Sequence, residues 1–142
     1  MAGERQDEDV STLSFGPEFS KKVECLSDAE VTMLLEKRKN EGPDDEMRPL
    51  TLKTWEYTKR SLGERSVQDA MHETITLRQA LSNPNLVNDD HALYPYEIAA
   101  LCNLMSKDSE PEEAKALIPS LKRYDDEILE NILAEMNKVR SK

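Results

Sequence analysis

The side chains able to bind a metal or to react as thiols are few and widely spaced. The sequence holds two cysteines, Cys25 and Cys102, and two histidines, His72 and His91. Zinc sites are usually built from closely spaced pairs such as C-x-x-C or H-x-x-x-H, and neither spacing occurs. The run 89–91 (DDH) places two carboxylates beside an imidazole, but adjacent side chains point in different directions. We therefore expect reduced, structural thiols and no metal site.

Catalytic signatures are also missing from the sequence. It contains no phosphate-binding glycine motif, no G-x-S-x-G and no H-E-x-x-H, and it has four glycines in all. Glu97 and Glu113 are the carboxylates to consider as general acids, yet each falls in the first turn of an expected helix, where a carboxylate has a sufficient structural role. The residues therefore favour a binding or assembly protein that is not an enzyme and has no cofactor.

The composition is that of one small, strongly charged domain. The 142 residues are 37% hydrophobic and 34% charged, and the formal net charge is −10. Residues 1–48 carry −6, residues 49–91 carry −1 and residues 92–142 carry −3. No segment has the positive balance of a self-sufficient nucleic-acid binder, and no apolar run reaches the roughly 18 residues of a membrane span. The charge favours a protein partner.

Two local basic clusters, 37–39 (KRK) and 59–60 (KR), interrupt the acidic sequence. Each sits among carboxylates, so neither predicts strong phosphate binding. Trp55 is the single tryptophan and shares one side of an expected helix with leucines. We expect it to anchor a core or an interface and not to stack on a nucleobase.

Capping signals and apolar spacing predict a series of helices. Ser27 followed by Glu30 is a capping box, and Ser66 followed by Asp69 is a second one. The expected helices begin at or just after, in chain order, Ser27, Pro49, Ser66, Pro95, Ser109 and Asp125. In the first of them, Val31, Leu34 and Leu35 form one apolar face.

The segment 10–19 has a different pattern. Leu13 and Phe15 alternate with polar or small residues until Pro17, which is typical of a very short strand or an extended arm. A strand this short is not stable alone and needs another chain or a sheet edge to pair with. A disordered tail with incidental apolar residues is the alternative.

Several segments resemble the fourth subunit of eukaryotic RNA polymerase II. The matching segments are 16–19 (GPEF), 30–39 (EVTMLLEKRK), 97–104 (EIAALCNL) and 113–121 (EAKALIPSL). The last is the most specific, because a short helix that ends in this proline-containing order is not generic. The resemblance extends over residues 13–62 and 92–142, and the chain length and the acidic N-terminus agree with it.

The resemblance implies a non-catalytic subunit of the polymerase stalk in the nucleus, or a close paralogue in another nuclear RNA polymerase. Members of this family pair with the seventh subunit, an all-β protein with an oligonucleotide-binding (OB) fold, and the pair attaches to the polymerase core. The implied role is in transcription initiation and in contact with nascent RNA, with nucleic acid bound mainly through the partner. The residues implied in partner binding are Leu13, Phe15, Phe19, Val31, Leu34 and Leu35.

The expected architecture is all-α, a small helical bundle with an extended N-terminal arm able to add a strand to a partner. Residues 1–12 are expected to be a disordered acidic tail, residues 13–48 the partner-binding arm and first helix, and residues 49–91 linking helices and a loop. Residues 92–142 resemble the small helical HRDC-like domain of certain helicases and ribonucleases. Two alternatives stay open at this point, namely an independent nucleic-acid-binding module and a helical adaptor in an unrelated complex.

Overall fold

Local capping side chains set where several helices begin. In α1 (Asp28–Glu41), Ser27 Oγ accepts from the Glu30 N–H at 3.3 Å, and Glu30 Oε1 accepts from the Ser27 N–H at 2.8 Å. This is the expected capping box. Ser66 Oγ accepts from the Asp69 N–H at 3.0 Å at the start of α3 (Val67–Leu81). The helices α2 (Pro49–Ser61) and α4 (Pro95–Leu104) each begin with a proline, whose fixed φ suits the first turn.

The computed structural model describes residues 9–15, 24–41, 48–83, 86 and 92–140. Within these ranges two further helices complete a set of six, α5 (Pro111–Leu117) and α6 (Asp126–Arg140), and two short 3₁₀ helices lie at Val10–Thr12 and Pro119–Arg123. The described residues contain no β-strand, so the expected all-α class is confirmed. None of the helices described is long and apolar enough to cross a membrane.

The third helix joins two hydrophobic clusters. Ala70 of α3 packs in a small cluster with Ala29 and Leu62. Leu77 and Leu81, further along α3, belong to the larger core of the C-terminal helices. The members of that core that are at most 1% exposed, besides Leu77, are Leu101, Ala114, Ile118, Leu121, Leu129, Ile132 and Met136. The core of the C-terminal region therefore extends back into α3.

The N-terminal segment is a turn where the sequence predicted an extended strand. Asp9 Oδ1 accepts from the Ser11 N–H at 3.0 Å, and Leu13 has a left-handed backbone with φ of 59°. A single antiparallel bridge then joins Asp9 to Ser14. The Asp9 side chain satisfies the turn locally, so these residues need no sheet edge in the free chain. The expected disordered tail, 1–12, includes the first half of this turn, and residues 1–8 lie outside the described residues.

Ser109 is not the N-cap of α5, contrary to expectation. Its hydroxyl donates to the Ser106 carbonyl oxygen at 2.8 Å, so it closes the turn that precedes the helix. The N-cap is Glu110, which makes no side-chain capping hydrogen bond. Asp125, in contrast, accepts from the Ile128 N–H at 2.9 Å and caps α6 as expected.

Candidate partner-binding surface

The first helix has two faces, and its larger apolar side chains are not turned into the chain's own core. The inward face carries small residues, Ala29 at 5% exposure and Thr32 at 0%, where α1 meets α2 and α3. Leu34 lies about 200° around the helix from Thr32 and is 48% exposed. Small residues allow the neighbouring helices to approach closely, which leaves Leu34 on the outside.

Leu34 shares one side of the helix with Val31, which stands three residues before it. Leu35 lies on the same side because it is one helical turn after Val31. Val31 and Leu35 are both half-buried. We call Val31, Leu34 and Leu35 the α1 apolar strip. Met33 is also 38% exposed, but its helical phase places it on a different side of α1, outside the α1 apolar strip.

The N-terminal residues of the expected interface lie against the chain's own C-terminal region. The Phe15 and Tyr96 rings have centroids 5.4 Å apart and an interplanar angle of 57°, and both side chains are half-buried. The same turn contacts the 3₁₀ helix Pro119–Arg123. Leu13 is half-buried, and Phe19 lies outside the described residues. The two predicted parts of the interface therefore stand on different elements in the free chain.

Arg78 of α3 fixes the start of α1. Its Nη2 donates to Glu30 Oε1 at 2.6 Å, and the guanidinium also donates to the Cys25 carbonyl oxygen. Burial by itself would raise the pKa of Glu30, but hydrogen bonds from Arg78 and Ser27 together with the Arg78 charge lower that pKa below its ordinary value. The first turn of α1 is therefore held by an ionised carboxylate.

The lowered pKa of Glu30 predicts a pH-dependent stability. A group whose folded pKa is depressed stabilises the fold above its unfolded pKa, and that contribution is lost as the pH falls through the folded value. We expect Glu30→Gln to be less stable than the native chain at neutral pH, with the difference shrinking between about pH 5 and pH 3. The difference in the free energy of unfolding is measured by urea titration at a series of pH values, with far-UV circular dichroism as the signal.

Glu130→Gln is the control for that experiment, since Glu130 is an exposed carboxylate on α6. Its urea midpoint should follow the midpoint of the native chain at every pH. If Glu30→Gln kept a constant deficit down to the acid end, the Glu30–Arg78 contact would not be the source of the pH dependence.

Arg140, near the end of α6, ties that helix to α3 and α4. Its Nε donates to Glu73 Oε1 at 2.8 Å, and its other nitrogens donate to the carbonyl oxygens of Cys102 and Met105. Arg65 also pairs with Glu73. These residues line a cleft of about 820 Å³. Because both arginines share one carboxylate, they brace the helices and do not form an arrangement of free catalytic groups.

Glu97, the first carboxylate considered as a general acid, has a structural role. It is 0% exposed, and its Oε2 accepts from Ser120 Oγ at 2.7 Å. Its Oε1 accepts from the Tyr94 N–H at 2.8 Å and from Arg123 Nη2 at 2.6 Å, and Arg123 Nη1 pairs with Oε2. Both oxygens are thus engaged. Glu113 is exposed in the first turn of α5, where a carboxylate favours the helix N-terminus.

The two thiols are free, as expected from the sequence. Burial raises the pKa of Cys102 to about 11, so this thiol stays protonated at neutral pH. Burial also raises the pKa of Cys25. In the part of the chain that the structure describes, no three side chains are grouped to hold a metal ion, and the run 89–91 lies outside that part.

Comparison with known proteins identifies the family. Residues 25–140 match the family model described as RNA polymerase Rpb4. The chain therefore belongs to the Rpb4 family of RNA polymerase subunits, and the resemblance to the fourth-subunit family is confirmed. One relative is the DNA-directed RNA polymerase II subunit rpb4 of Dictyostelium discoideum, which is 33% identical over 160 aligned positions. The alignment covers 98% of this chain and 93% of the relative.

Proposed function

We propose that this chain is the non-catalytic stalk subunit of RNA polymerase II, that it forms a heterodimer with the seventh subunit, and that the pair attaches to the polymerase core. In this role it works in the nucleus, supports transcription initiation and contacts nascent RNA mainly through its partner. Membership of the Rpb4 family and the RNA polymerase II name of the relative support the polymerase assignment. The observation that carries the heterodimer is the α1 apolar strip, in which Leu34 is 48% exposed.

The strip is suited to binding because α1 is already held in place. Arg78 fixes Glu30 at the start of the helix, and Asn103 Oδ1 accepts from the Asp28 N–H at 2.9 Å. A surface that is ordered before binding loses little conformational entropy when the partner arrives. An interface that includes the strip and buries about 1,000 Å² or more in total is large enough for specific association.

The N-terminal residues contribute a second part of the proposed interface. Leu13, Phe15 and Phe19 would extend and pair with the edge of the partner's sheet, as β-augmentation requires. In the free chain Phe15 rests on Tyr96, and a tilted ring pair of this kind contributes about 0.5–1.5 kcal/mol beyond burial. Several main-chain hydrogen bonds to a sheet edge can replace that contact.

Substituting Leu34 by aspartate is expected to weaken the heterodimer. The carboxylate would be buried without a partner in the interface, so we expect the dissociation constant to rise about tenfold or more. The chain is co-expressed with the seventh subunit, the complex is sized by chromatography with light scattering, and the dissociation constant is measured by titration. Leu117→Asp is the matched control, since Leu117 is a 52% exposed leucine on α5, and it should change the constant by less than about threefold.

The double variant Leu13→Asp plus Phe15→Asp tests the arm in the same assay. Its complex should dissociate more readily than the native complex, and the free chain should itself lose at least about 0.5–1.5 kcal/mol of stability because Phe15 rests on Tyr96 there. A folded native chain that stays monomeric beside the seventh subunit would contradict the proposed function. If Leu34→Asp raised the dissociation constant no more than Leu117→Asp, the interface would not include the α1 apolar strip.

A further inference from the structure

The side of α2 that faces away from the rest of the bundle is exposed and carries large apolar side chains. The inward side is marked by Thr58 and Leu62, each 4% exposed, and α2 packs there against α1. On the outward side Leu50 is 77% exposed and Tyr57 is 65% exposed. These are among the largest exposures of apolar side chains in the described residues. No other part of the chain that the structure describes covers these two side chains.

Two basic residues lie on the same outward side. Lys53 and Arg60 stand three and ten residues after Leu50, and Tyr57 stands seven after it, which is the spacing of one helix face. We call Leu50, Lys53, Tyr57 and Arg60 the α2 stripe. It is about 15 Å long at 1.5 Å per residue. Among the described residues, no carboxylate lies within ion-pairing distance of Lys53 or Arg60, and both side chains are exposed.

The surroundings of the stripe are positive although the chain as a whole is acidic. Residues 36–40 and 48–60 contain seven lysines and arginines and two glutamates, whereas the whole chain carries −10. Exposed cations next to exposed apolar side chains complement a ligand that is negative and partly apolar. Two ligand classes meet the charge requirement, namely single-stranded RNA and an acidic protein segment.

The geometry at Trp55 favours the protein segment. Lys39 Nζ lies 4.3 Å from the centroid of the Trp55 ring and Lys59 Nζ lies 4.7 Å from it, and Lys59 is also 3.7 Å from a Glu36 oxygen. The indole is therefore already engaged by cations and is not open for stacking on a base. Single-strand binding relies on successive stacking rings, and the stripe offers Tyr57 alone. Exposed leucine and tyrosine beside cations instead suit an acidic segment with apolar anchors.

We propose that the α2 stripe is a docking site for a short acidic segment of another protein that carries leucine or aromatic anchors. Carboxylates of the segment pair with Lys53 and Arg60, and its apolar side chains cover Leu50 and Tyr57. The stripe is on α2 and does not include the α1 apolar strip. This interaction therefore goes beyond the proposed heterodimer contact at the α1 apolar strip.

The test uses the full chain, free and in complex with the seventh subunit, and a fluorescent synthetic peptide in which aspartate and glutamate alternate with leucine and phenylalanine. Peptide binding is measured by fluorescence anisotropy. The variant Lys53→Glu plus Arg60→Glu should raise the dissociation constant of the peptide about tenfold or more. The control Lys107→Glu plus Lys122→Glu changes two exposed lysines outside the stripe and gives the same net charge, and its affinity should stay within about twofold of native. Tyr57→Ser should weaken binding without altering charge.

Each contrary outcome overturns the proposal in a recognisable way. Absence of measurable peptide binding at low salt would refute it directly. Equal losses for the stripe variant and its control would show a net-charge effect with no site. Tighter binding of single-stranded oligouridine, lost in the same stripe variant, would make the surface an RNA contact. If the stripe variant folded but did not form the heterodimer, the α2 stripe would belong to the interface with the seventh subunit. The Leu34→Asp variant tests the α1 apolar strip separately, so its result does not change that conclusion.

Discussion

Replacing Arg123 by alanine is expected to destabilise the chain by about 3–5 kcal/mol. Arg123 pairs with both oxygens of Glu97, which is 0% exposed, and it also donates to Tyr124 Oη at 2.8 Å and to the Ala92 carbonyl oxygen at 3.3 Å. Burial by itself would lower the pKa of Arg123, but the Glu97 hydrogen bonds and charge raise it, so the guanidinium stays charged. Without it, a buried carboxylate has no counter-charge.

Urea unfolding at neutral pH measures that loss, and Lys122→Ala is the control. Lys122 is the exposed neighbour of Arg123, so its removal should change the free energy of unfolding by less than about 0.5 kcal/mol. A deficit below about 1 kcal/mol would mean that the pair contributes no more than a surface ion pair.

Truncating Leu101 to alanine is expected to cost about 3 kcal/mol. Leu101 of α4 is 0% exposed and belongs to the core that also contains Leu77 of α3 and Ile132 of α6. Residues of α3, α4 and α6 build this core together, so the cavity left by removing the Leu101 side chain can collapse only partially. The free energy of unfolding from urea titration gives the value.

Leu104→Ala is the matched comparison on the same helix. Leu104 is 50% exposed, so the same truncation there removes little buried area and should cost less than about 1 kcal/mol. Similar losses at the two positions would show that the core around Leu101 is looser than the structure describes. The free-energy difference between the two variants therefore measures how well the helices pack.

Sequence reasoning was sufficient for most helix starts and for the fold class. Ser27 with Glu30, Ser66 with Asp69, and Pro49 and Pro95 are local signals, because a cap or a proline acts on backbone groups within one turn. The prediction that Ser109 caps α5 was wrong because it rested on the same kind of local signal. A serine side chain can cap a helix or close the turn before it. Here Ser109 bonds to Ser106 in the turn, and Glu110 is the N-cap.

The family could also be inferred from the sequence, because the order of residues in 113–121 (EAKALIPSL) and in 30–39 (EVTMLLEKRK) is specific in a way that helix patterning is not. The family match over residues 25–140 confirms that inference. The division of the chain into tail, arm, linker and C-terminal domain stays a prediction.

Long-range packing settled the remaining points, because the direction in which a helix face points depends on residues far away in the chain. Periodicity grouped Val31, Leu34 and Leu35, but it did not show that Ala29 and Thr32 would be the inward side and leave Leu34 exposed. Glu97 has the sequence context of an ordinary first-turn carboxylate. Its burial depends on Arg123, a partner that no local pattern marks. The turn at residues 9–15 likewise rests on Tyr96, and the outward α2 stripe exists because α1 covers the opposite side of α2.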